Sequence, residues 1–452
     1  MLELKISEKG ESNYLAKIVK IEHIRPHSNA ERLDVVQIDG NSIITQKGIE
    51  KGSIYVYFPP ESAITEEYLS KTNSFRDKTL NVDSEKVGFF ERTGRVRVMM
   101  LRGEPSMGYI APISTLETLV GPSWEKLVNH VGEEFDTVNN KLLVKKYKVI
   151  RTQGEPGSKK DRKREAKEDI LIPGQFKLHI TTAHLKKMIS QIEPNDIISV
   201  SEKLHGTSVV AANVLVKKKL SWYQKLLKSL GAQIIETEYQ PLVSSRNVLK
   251  NLPSSKTKNS YYESDIWTKA TLPFLPLLHK GETVYAEIVG FLDTGKPIQG
   301  SQGNNWDYGC GDNSHCVYIY RITHTNVDGL SVELPMNMIQ ERAKQLGVQA
   351  VPLHYYGPAK GLEPDMRTDL HWHQDFLDLI EKDFVETGKC QMCKNNVERE
   401  GIVLRRESLI PQPYKMKQMS FILKESQAMD KGEVDLESDQ QLNEILEDAK
   451  AK

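Results

Sequence analysis

The chain has no surplus of charge of either sign. Lys+Arg 61 balance Asp+Glu 61, so no global field draws it to a polyanion. Any such site must be a local concentration of lysine and arginine. No apolar run approaches the roughly 20 residues that span a bilayer. The opening Met-Leu-Glu-Leu-Lys-Ile lacks the pattern of a signal peptide. Four cysteines in 452 residues do not make a disulfide framework. Together these absences point to a soluble, cytoplasmic protein without a membrane partner; a monomer is the expected state. The length is enough for two or three cores.

What is present divides into four stretches. Residues 1–115 carry short strands at close spacing, with Asp39-Gly40 as a hairpin signal. That pattern fits a small barrel such as an OB fold. Arg95, Arg97 and Arg102 lie near one such strand, the first two on one face. Such a face can track a nucleic-acid backbone; a solvated edge strand whose charges block aggregation is an equal reading. Residues 116–175 form a connector whose stretch 145–167 is dense in Lys and Arg. Residues 176–425 mix strands and helices, among them an amphipathic segment at 220–230 read as core packing or a lid. Residues 426–452 are an acidic, helical tail. The fold class expected is α+β.

The stretch that organises the chain is 201–208, Ser-Glu-Lys-Leu-His-Gly-Thr-Ser. It reads as two strands joined by a tight turn, with Lys203 at the end of the first. Gly206 leaves room for a phosphate. A lysine is nucleophilic only when deprotonated, which desolvation or nearby cations favour. Lys-x-x-Gly alone reads more readily as a surface lysine beside a hairpin turn.

Residues downstream shift that balance. Arg246, Glu287, Tyr320, Glu400, Lys415 and Lys417 each lie on or beside a strand that should be at least half buried. A buried carboxylate such as Glu287 is costly without a partner. Lys415 and Lys417 share one strand face and suit a phosphate. Glu287 can accept from ribose hydroxyls, Tyr320 can stack on a purine, and Glu400 can help bind a divalent metal, directly or through water.

Lys203-Leu-His-Gly, Ser244-Ser-Arg-Asn, Tyr285-Ala-Glu-Ile-Val-Gly, Val317-Tyr-Ile-Tyr-Arg-Ile, Glu400-Gly-Ile-Val and Lys415-Met-Lys follow one another in the order of motifs I, Ia, III, IIIa, IV and V. In this the chain resembles the covalent nucleotidyltransferases, which include ATP-dependent ligases and mRNA capping enzymes. His205 before the glycine resembles RNA ligases more than DNA ligases or capping guanylyltransferases. Arg25-Pro-His-Ser-Asn-Ala-Glu-Arg-Leu and Leu101-Arg-Gly resemble the OB-like domain of the Deinococcus-type RNA ligases.

The resemblance implies an N-terminal OB-like β-barrel followed by an ATP-grasp-like nucleotidyltransferase domain. In that domain antiparallel sheets are flanked by helices. It implies ATP and Mg²⁺ or Mn²⁺ as cofactors and RNA as partner, as a nicked duplex or an RNA/DNA hybrid. Lys203 would attack the α-phosphate and become lysyl-AMP, and AMP would pass to an RNA 5′-phosphate before a 3′-OH displaces it. Glu202 and Gly206 would line the nucleotide, Glu287 contact the ribose, Tyr320 stack on adenine, and Arg246 touch the nucleotide or the RNA end. Glu400 would support the metal, and Lys415 and Lys417 the α-phosphate. The family's usual aspartate after the motif IIIa aromatic is Arg321 here, a departure that bears on metal placement. A non-catalytic RNA-binding protein with a vestigial pocket is the alternative of another class.

Cys390-Gln-Met-Cys393 precedes the strand headed by Glu400, and Cys310 and Cys316 precede Tyr320. A four-cysteine structural zinc site is one reading of this spacing; four reduced thiols in loops is the other.

Overall fold

In the computed structural model the described residues are 3–8, 10–149, 170–179, 181–246, 249–250, 265–301 and 303–432. Most of the basic stretch at 145–167, Asn247 and the tail beyond 432 lie outside them. The chain divides into two compact units.

The first unit comprises 1–150, 186–188 and 419–433. Its main sheet has four antiparallel strands in the order Tyr109–Pro112, Ile54–Phe58, Ala16–Lys20, Glu134–Phe135. Strands beyond residue 115 therefore complete it. Ile24–Pro26, Leu33–Ile38 and Asn41–Gln46 form a second sheet. Its last two strands join at Asp39 and Gly40, both at positive φ, 48° and 71°, as the hairpin signal predicts. Ile18, Val56, Phe58, Phe75, Phe90 and Phe135 fill the core, each contributing about 1.5–3 kcal/mol by burial. The strands pair as separate small sheets, and among the described residues they close no barrel.

The second unit contains two larger sheets. The first runs Ala183–His184, Gln412–Lys417, Gly401–Arg406, Ile197–Lys203, Leu353–Pro358. The second runs Leu249–Lys250, Thr237–Ser245, Thr207–Lys217, Glu282–Gly290, His315–Thr325, Ser331–Glu333. Glu282–Gly290 is buried at every position, which its run of Val, Ile, Ala and Tyr permits. Glu282 and Glu287 inside it must therefore be paired. The chain leaves the first sheet at Lys203 and enters the second at Thr207. The Leu204-His-Gly turn is thus the crossing point between sheets.

Helix Met336–Leu346 buries Met336, Ile339, Ala343 and Leu346 at helical spacing and ends at Gly347 with φ 70°. Helix Trp222–Ser229 starts with a Ser221–Gln224 capping box. Its apolar residues do not join the core: Trp222 is 78% exposed and Leu230, just beyond its end, 75%. The periodicity located this helix but not the side it faces.

Candidate active site

Three adjacent strands bring the central residues together. Lys203 pairs with Gly401, and Gly401 with Lys417. Glu400, one residue before Gly401, then reaches both lysines. Lys203 Nζ lies 2.6 Å from Glu400 Oε1 and Lys417 Nζ 3.5 Å from the same atom. Glu400 is 3% exposed, so its charge depends on these cations. Its other oxygen, Oε2, is buried without a hydrogen-bond partner, with His205 Nδ1 4.0 Å away. Gly401 has φ +143°, and a Cβ there would lie 2.1 Å from the Met416 carbonyl oxygen. Only glycine lets the strand pass that close.

The turn after Lys203 is fixed from the second sheet. Glu287 Oε1 accepts from the Gly206 N–H at 3.0 Å and Oε2 from the Ser208 hydroxyl at 3.2 Å. The costly carboxylate of the Glu282–Gly290 strand is thus tied to the lysine turn. A Cβ on Gly206 would lie 2.3 Å from the Ile288 carbonyl oxygen. This glycine therefore serves close packing of the turn on the neighbouring strand, in addition to any room it leaves a ligand.

Other residues of the site had no signal in the sequence. The Gln299 amide donates to the Gly206 carbonyl at 2.6 Å, and the Tyr308 hydroxyl accepts from the His205 N–H at 2.7 Å. The Trp306 and His205 rings meet edge to face at 4.7 Å. Burial pushes the Tyr308 phenol far above its ordinary range, so it stays neutral. All three come from the polar loop after the Glu282–Gly290 strand, where no periodicity or spacing marks single residues.

Tyr320 occupies a β-bulge, since the register passes from Tyr285–Arg321 to Ala286–Ile319. The bulge breaks the alternation of the strand and re-aims the side chain. Its hydroxyl lies 2.9 Å from His179 Nδ1. Arg321, where the family's aspartate was expected, pairs with Glu333 at 2.7 Å and sits over the Tyr285 ring at 4.6 Å. Lys415 is half-buried beside Val403 and His184. Arg246 is half-buried one step beyond the Val209–Ser245 pair.

Two expectations need correction. Glu202 alternates with Lys203 and so faces the other side of the strand. Its buried carboxylate receives Arg399 Nε at 2.7 Å and His354 Nε2 at 2.8 Å. Burial opposes its charge, but the hydrogen bonds from His354 and Arg399 hold the carboxyl below its ordinary value. It supports the strand, and its side chain is not a nucleotide ligand. Arg95 is 4% exposed. It donates from Nε and Nη2 to Glu61 at 2.7 and 2.8 Å, from Nη1 to Asp430 at 2.8 Å, and from Nη2 to the Ser426 hydroxyl at 2.9 Å. A guanidinium so committed cannot meet a phosphate. Arg97 is partly covered and lies 3.4 Å from Asp430, while Arg102 is exposed in the turn between Val98–Leu101 and Glu104–Met107.

The cysteines form two close pairs. Cys310 and Cys316 Sγ are 3.2 Å apart, and Cys390 and Cys393 share the turn that precedes Glu400, Cys390 buried and Cys393 partly so.

A search of curated proteins found no match. Among solved structures, the Naegleria gruberi RNA ligase is similar in fold. A glutamate-to-alanine variant of it with AMP and Mn gives 19% identity and a TM-score of 0.55, covering 91% of this chain and 98% of the other. A lysine-to-alanine variant with ATP and Mn gives 20% identity and the same TM-score, again covering 91% and 98%. The same ligase with PPi gives 18% identity and a TM-score of 0.53, covering 92% and 99%. The model of the RNA ligase family matches residues 196–424, just over half of the chain, and spans every motif from Lys203 to Lys417. The chain belongs to the RNA ligase family.

Proposed function

We propose that this ligase is ATP-dependent and joins RNA 3′-OH and 5′-phosphate ends through lysyl-AMP and adenylated-RNA intermediates. The observation that carries the reading is the contact of Lys203 Nζ with Glu400 Oε1 at 2.6 Å, with Lys417 on the same oxygen. The neutral Lys203 amine attacks the α-phosphorus. A P–N bond forms as the bond to the β-phosphate oxygen breaks, and pyrophosphate leaves. The proton Lys203 must give up has Glu400 Oε1 at hydrogen-bond distance to receive it. A 5′-phosphate oxygen of RNA then displaces the lysine nitrogen, and the 3′-OH attacks the 5′-phosphorus and releases AMP. Lys417 and Lys415 hold the charge of the transferring phosphoryl group.

A divalent ion, Mg²⁺ or Mn²⁺, fits the donor set at one atom. Glu400 Oε2 is a buried hard oxygen with no hydrogen-bond partner. Glu400 would hold the ion, which when bound supplies charge neutralisation at the phosphate oxygens. Glu287, held on the lysine turn, is the candidate ribose acceptor. Tyr320 is the candidate adenine platform, and Arg246 the candidate contact to the nucleotide or RNA end. The strand-rich first unit is proposed to play the part of the OB-like domain of Deinococcus-type ligases, with Arg102 and Arg97 as its candidate RNA contacts. A nicked duplex or RNA/DNA hybrid in RNA repair is the proposed substrate.

The test is incubation with α-labelled ATP or GTP and a divalent ion, followed by sealing assays on nicked duplexes of each strand composition. ATP-dependent labelling that Lys203→Ala abolishes is the expected result. Labelling by GTP alone would indicate a capping-type guanylyltransferase. A chain that takes no label at all would be a binding protein with a vestigial pocket.

A further inference from the structure

Among the described residues, metal-ligating side chains converge at one place outside the lysine site. One donor atom from each of His279, Glu282 and His324 lies within 4.8 Å of the others. The four cysteines form no such group. No step of ligation uses these three residues. Glu282 stands five residues before Glu287 on the strand Glu282–Gly290, roughly 17 Å away by strand rise.

Local structure explains the meeting. Glu282 pairs directly with His324 of the neighbouring strand His315–Thr325, and directly paired residues share one face of a sheet. His279 precedes Glu282 by three residues, in a turn closed by the Glu282 N–H donating to the His279 carbonyl at 3.0 Å. Gly281 in that turn has φ +84°, and a Cβ on it would lie 2.3 Å from the Thr325 carbonyl oxygen. Glycine therefore lets the turn press onto the end of the His324 strand. His279 Nδ1 lies 3.6 Å from Glu282 Oε2, and His324 Nε2 lies 4.0 Å from Oε1. The two rings stack at 29°, their centroids 6.3 Å apart. Among the described residues neither imidazole ring makes a hydrogen bond.

The carboxylate between them is held as a ligand is. Glu282 is 0% exposed. Arg342 of helix Met336–Leu346 forks onto it, Nε to Oε1 and Nη2 to Oε2, each at 2.8 Å. The His279 backbone N–H donates to Oε2 at 2.7 Å. An ionised carboxylate offers about four lone-pair sites. These three bonds leave one, on Oε1, the oxygen nearest His324. Arg342 is itself fixed, with Nη2 also donating to the Leu277 carbonyl at 2.9 Å and Nη1 to Gln345 at 3.0 Å. Outer partners of this kind orient a ligating carboxylate. Arg342 also balances the buried charge, so the stacked histidines are not needed to hold it.

We propose that His279, Glu282 and His324 bind a zinc ion, with water in the fourth position. Donors at about 2.0–2.2 Å from a tetrahedral zinc stand roughly 3.3 Å apart. The observed 3.6 and 4.0 Å need to close by only roughly 0.3 and 0.7 Å to reach that spacing. His279, whose side chain is 64% exposed, has room to supply the movement. Two imidazoles and one carboxylate suit zinc, whereas Mg²⁺ favours oxygen ligands and retained waters. The site is thus distinct in chemistry from the one proposed at Glu400, and it does not rest on the ligase reading. The ion would tie the turn to two strands, those that carry Glu287 and Tyr320. It would steady the frame of the lysine site with no part in the chemistry.

The test uses the full chain, stripped of metal with a chelator and kept reduced. Zinc binding is measured by equilibrium dialysis in excess Mg²⁺, which competes for hard-oxygen sites. The expected result is one zinc per chain that Mg²⁺ does not displace. Co²⁺ in its place should give the d–d bands of four-coordinate nitrogen and oxygen ligation, without sulfur-to-metal charge transfer. His279→Ala and His324→Ala should each weaken zinc binding about tenfold or more, since even an outer-shell change costs that much. A chain that binds no zinc would overturn the proposal, as would either variant binding zinc as tightly as the parent. Thiolate charge-transfer bands in the cobalt form would also overturn it, by placing the ion on cysteines. The cobalt spectrum is read on the unmodified chain and so decides the matter even if a variant fails to fold.

Discussion

Lys203 Nζ and Glu400 Oε1 sit 2.6 Å apart although the residues are 197 positions apart in sequence. The contact ties the amine to a carboxylate, whereas the proposed attack needs it free and neutral. The pair is therefore a resting state, which a cation on Glu400 or the incoming phosphate must loosen. Lys203→Ala should form no protein-AMP adduct yet still seal pre-adenylated RNA, because the lysine is nucleophile only in the first step. Glu400→Gln should lower both steps at least 100-fold, since one charge removed from a transition-state site costs about that much. Gel autoradiography and sealing assays on the same preparations check both. A normal adduct in Lys203→Ala would sink the assignment.

The two lysines of the last motif should differ. Lys417 lies 3.5 Å from Glu400 Oε1, whereas Lys415 lies two residues back along the same face, beside Val403. Lys417→Ala should slow adenylation about 100-fold and Lys415→Ala less, with both variants melting within a few degrees of the parent. Single-turnover adenylation and thermal melts measure this. Equal rates for parent and Lys417→Ala would remove Lys417 from the site.

The order of motifs made the lysine strand, the two carboxylates and the paired lysines legible, because each breaks the apolar pattern of its strand. Glu202 is a different case. The resemblance implies that it lines the nucleotide, but strand alternation turns it to the face opposite Lys203. Arg399 and His354, its partners, are 197 and 152 residues away in sequence, and no local pattern announces such pairing. Gln299, Trp306 and Tyr308 were missed because the loop that carries them has no period. The helix at Trp222–Ser229 was found by its spacing, but periodicity cannot say what an apolar stripe meets.

The Glu202 cluster gives a pH prediction. Its carboxyl is held below its ordinary value of 4.5 in the folded state. Its contribution to stability is therefore fully present above about pH 4.5 and is lost as pH falls through the lower folded value. Glu202→Gln leaves Arg399 buried and without its anion, which should cost about 3–5 kcal/mol near neutral pH. The gap between parent and variant should narrow as pH drops below 4.5. Urea titrations across that range test it. A gap that widens on acidification would mean that the pair with Arg399 is not what the carboxylate supplies.

Arg95 separates a structural arginine from an RNA contact. Its guanidinium joins Glu61 to Asp430 and Ser426 within the first unit, so the helix Met419–Asp430 is anchored to the stretch just before the strand Val98–Leu101. Arg95→Met should cost about 2–3 kcal/mol, less than a fully buried pair, because Glu61 and Asp430 keep side-chain exposures of 20% and 40% and can be solvated. It should leave the salt dependence of RNA binding unchanged, because the side chain releases no counterion. A true phosphate contact would lower that slope by about 0.7–0.9 on a logarithmic scale, the change expected of Arg102→Ala at its exposed turn if that arginine meets RNA. Fluorescence anisotropy over a range of salt, on preparations shown to be folded, reads both. A lower slope in Arg95→Met with unchanged stability would return Arg95 to the RNA face. It would also mean that its bonds to Glu61 and Asp430 open when RNA binds.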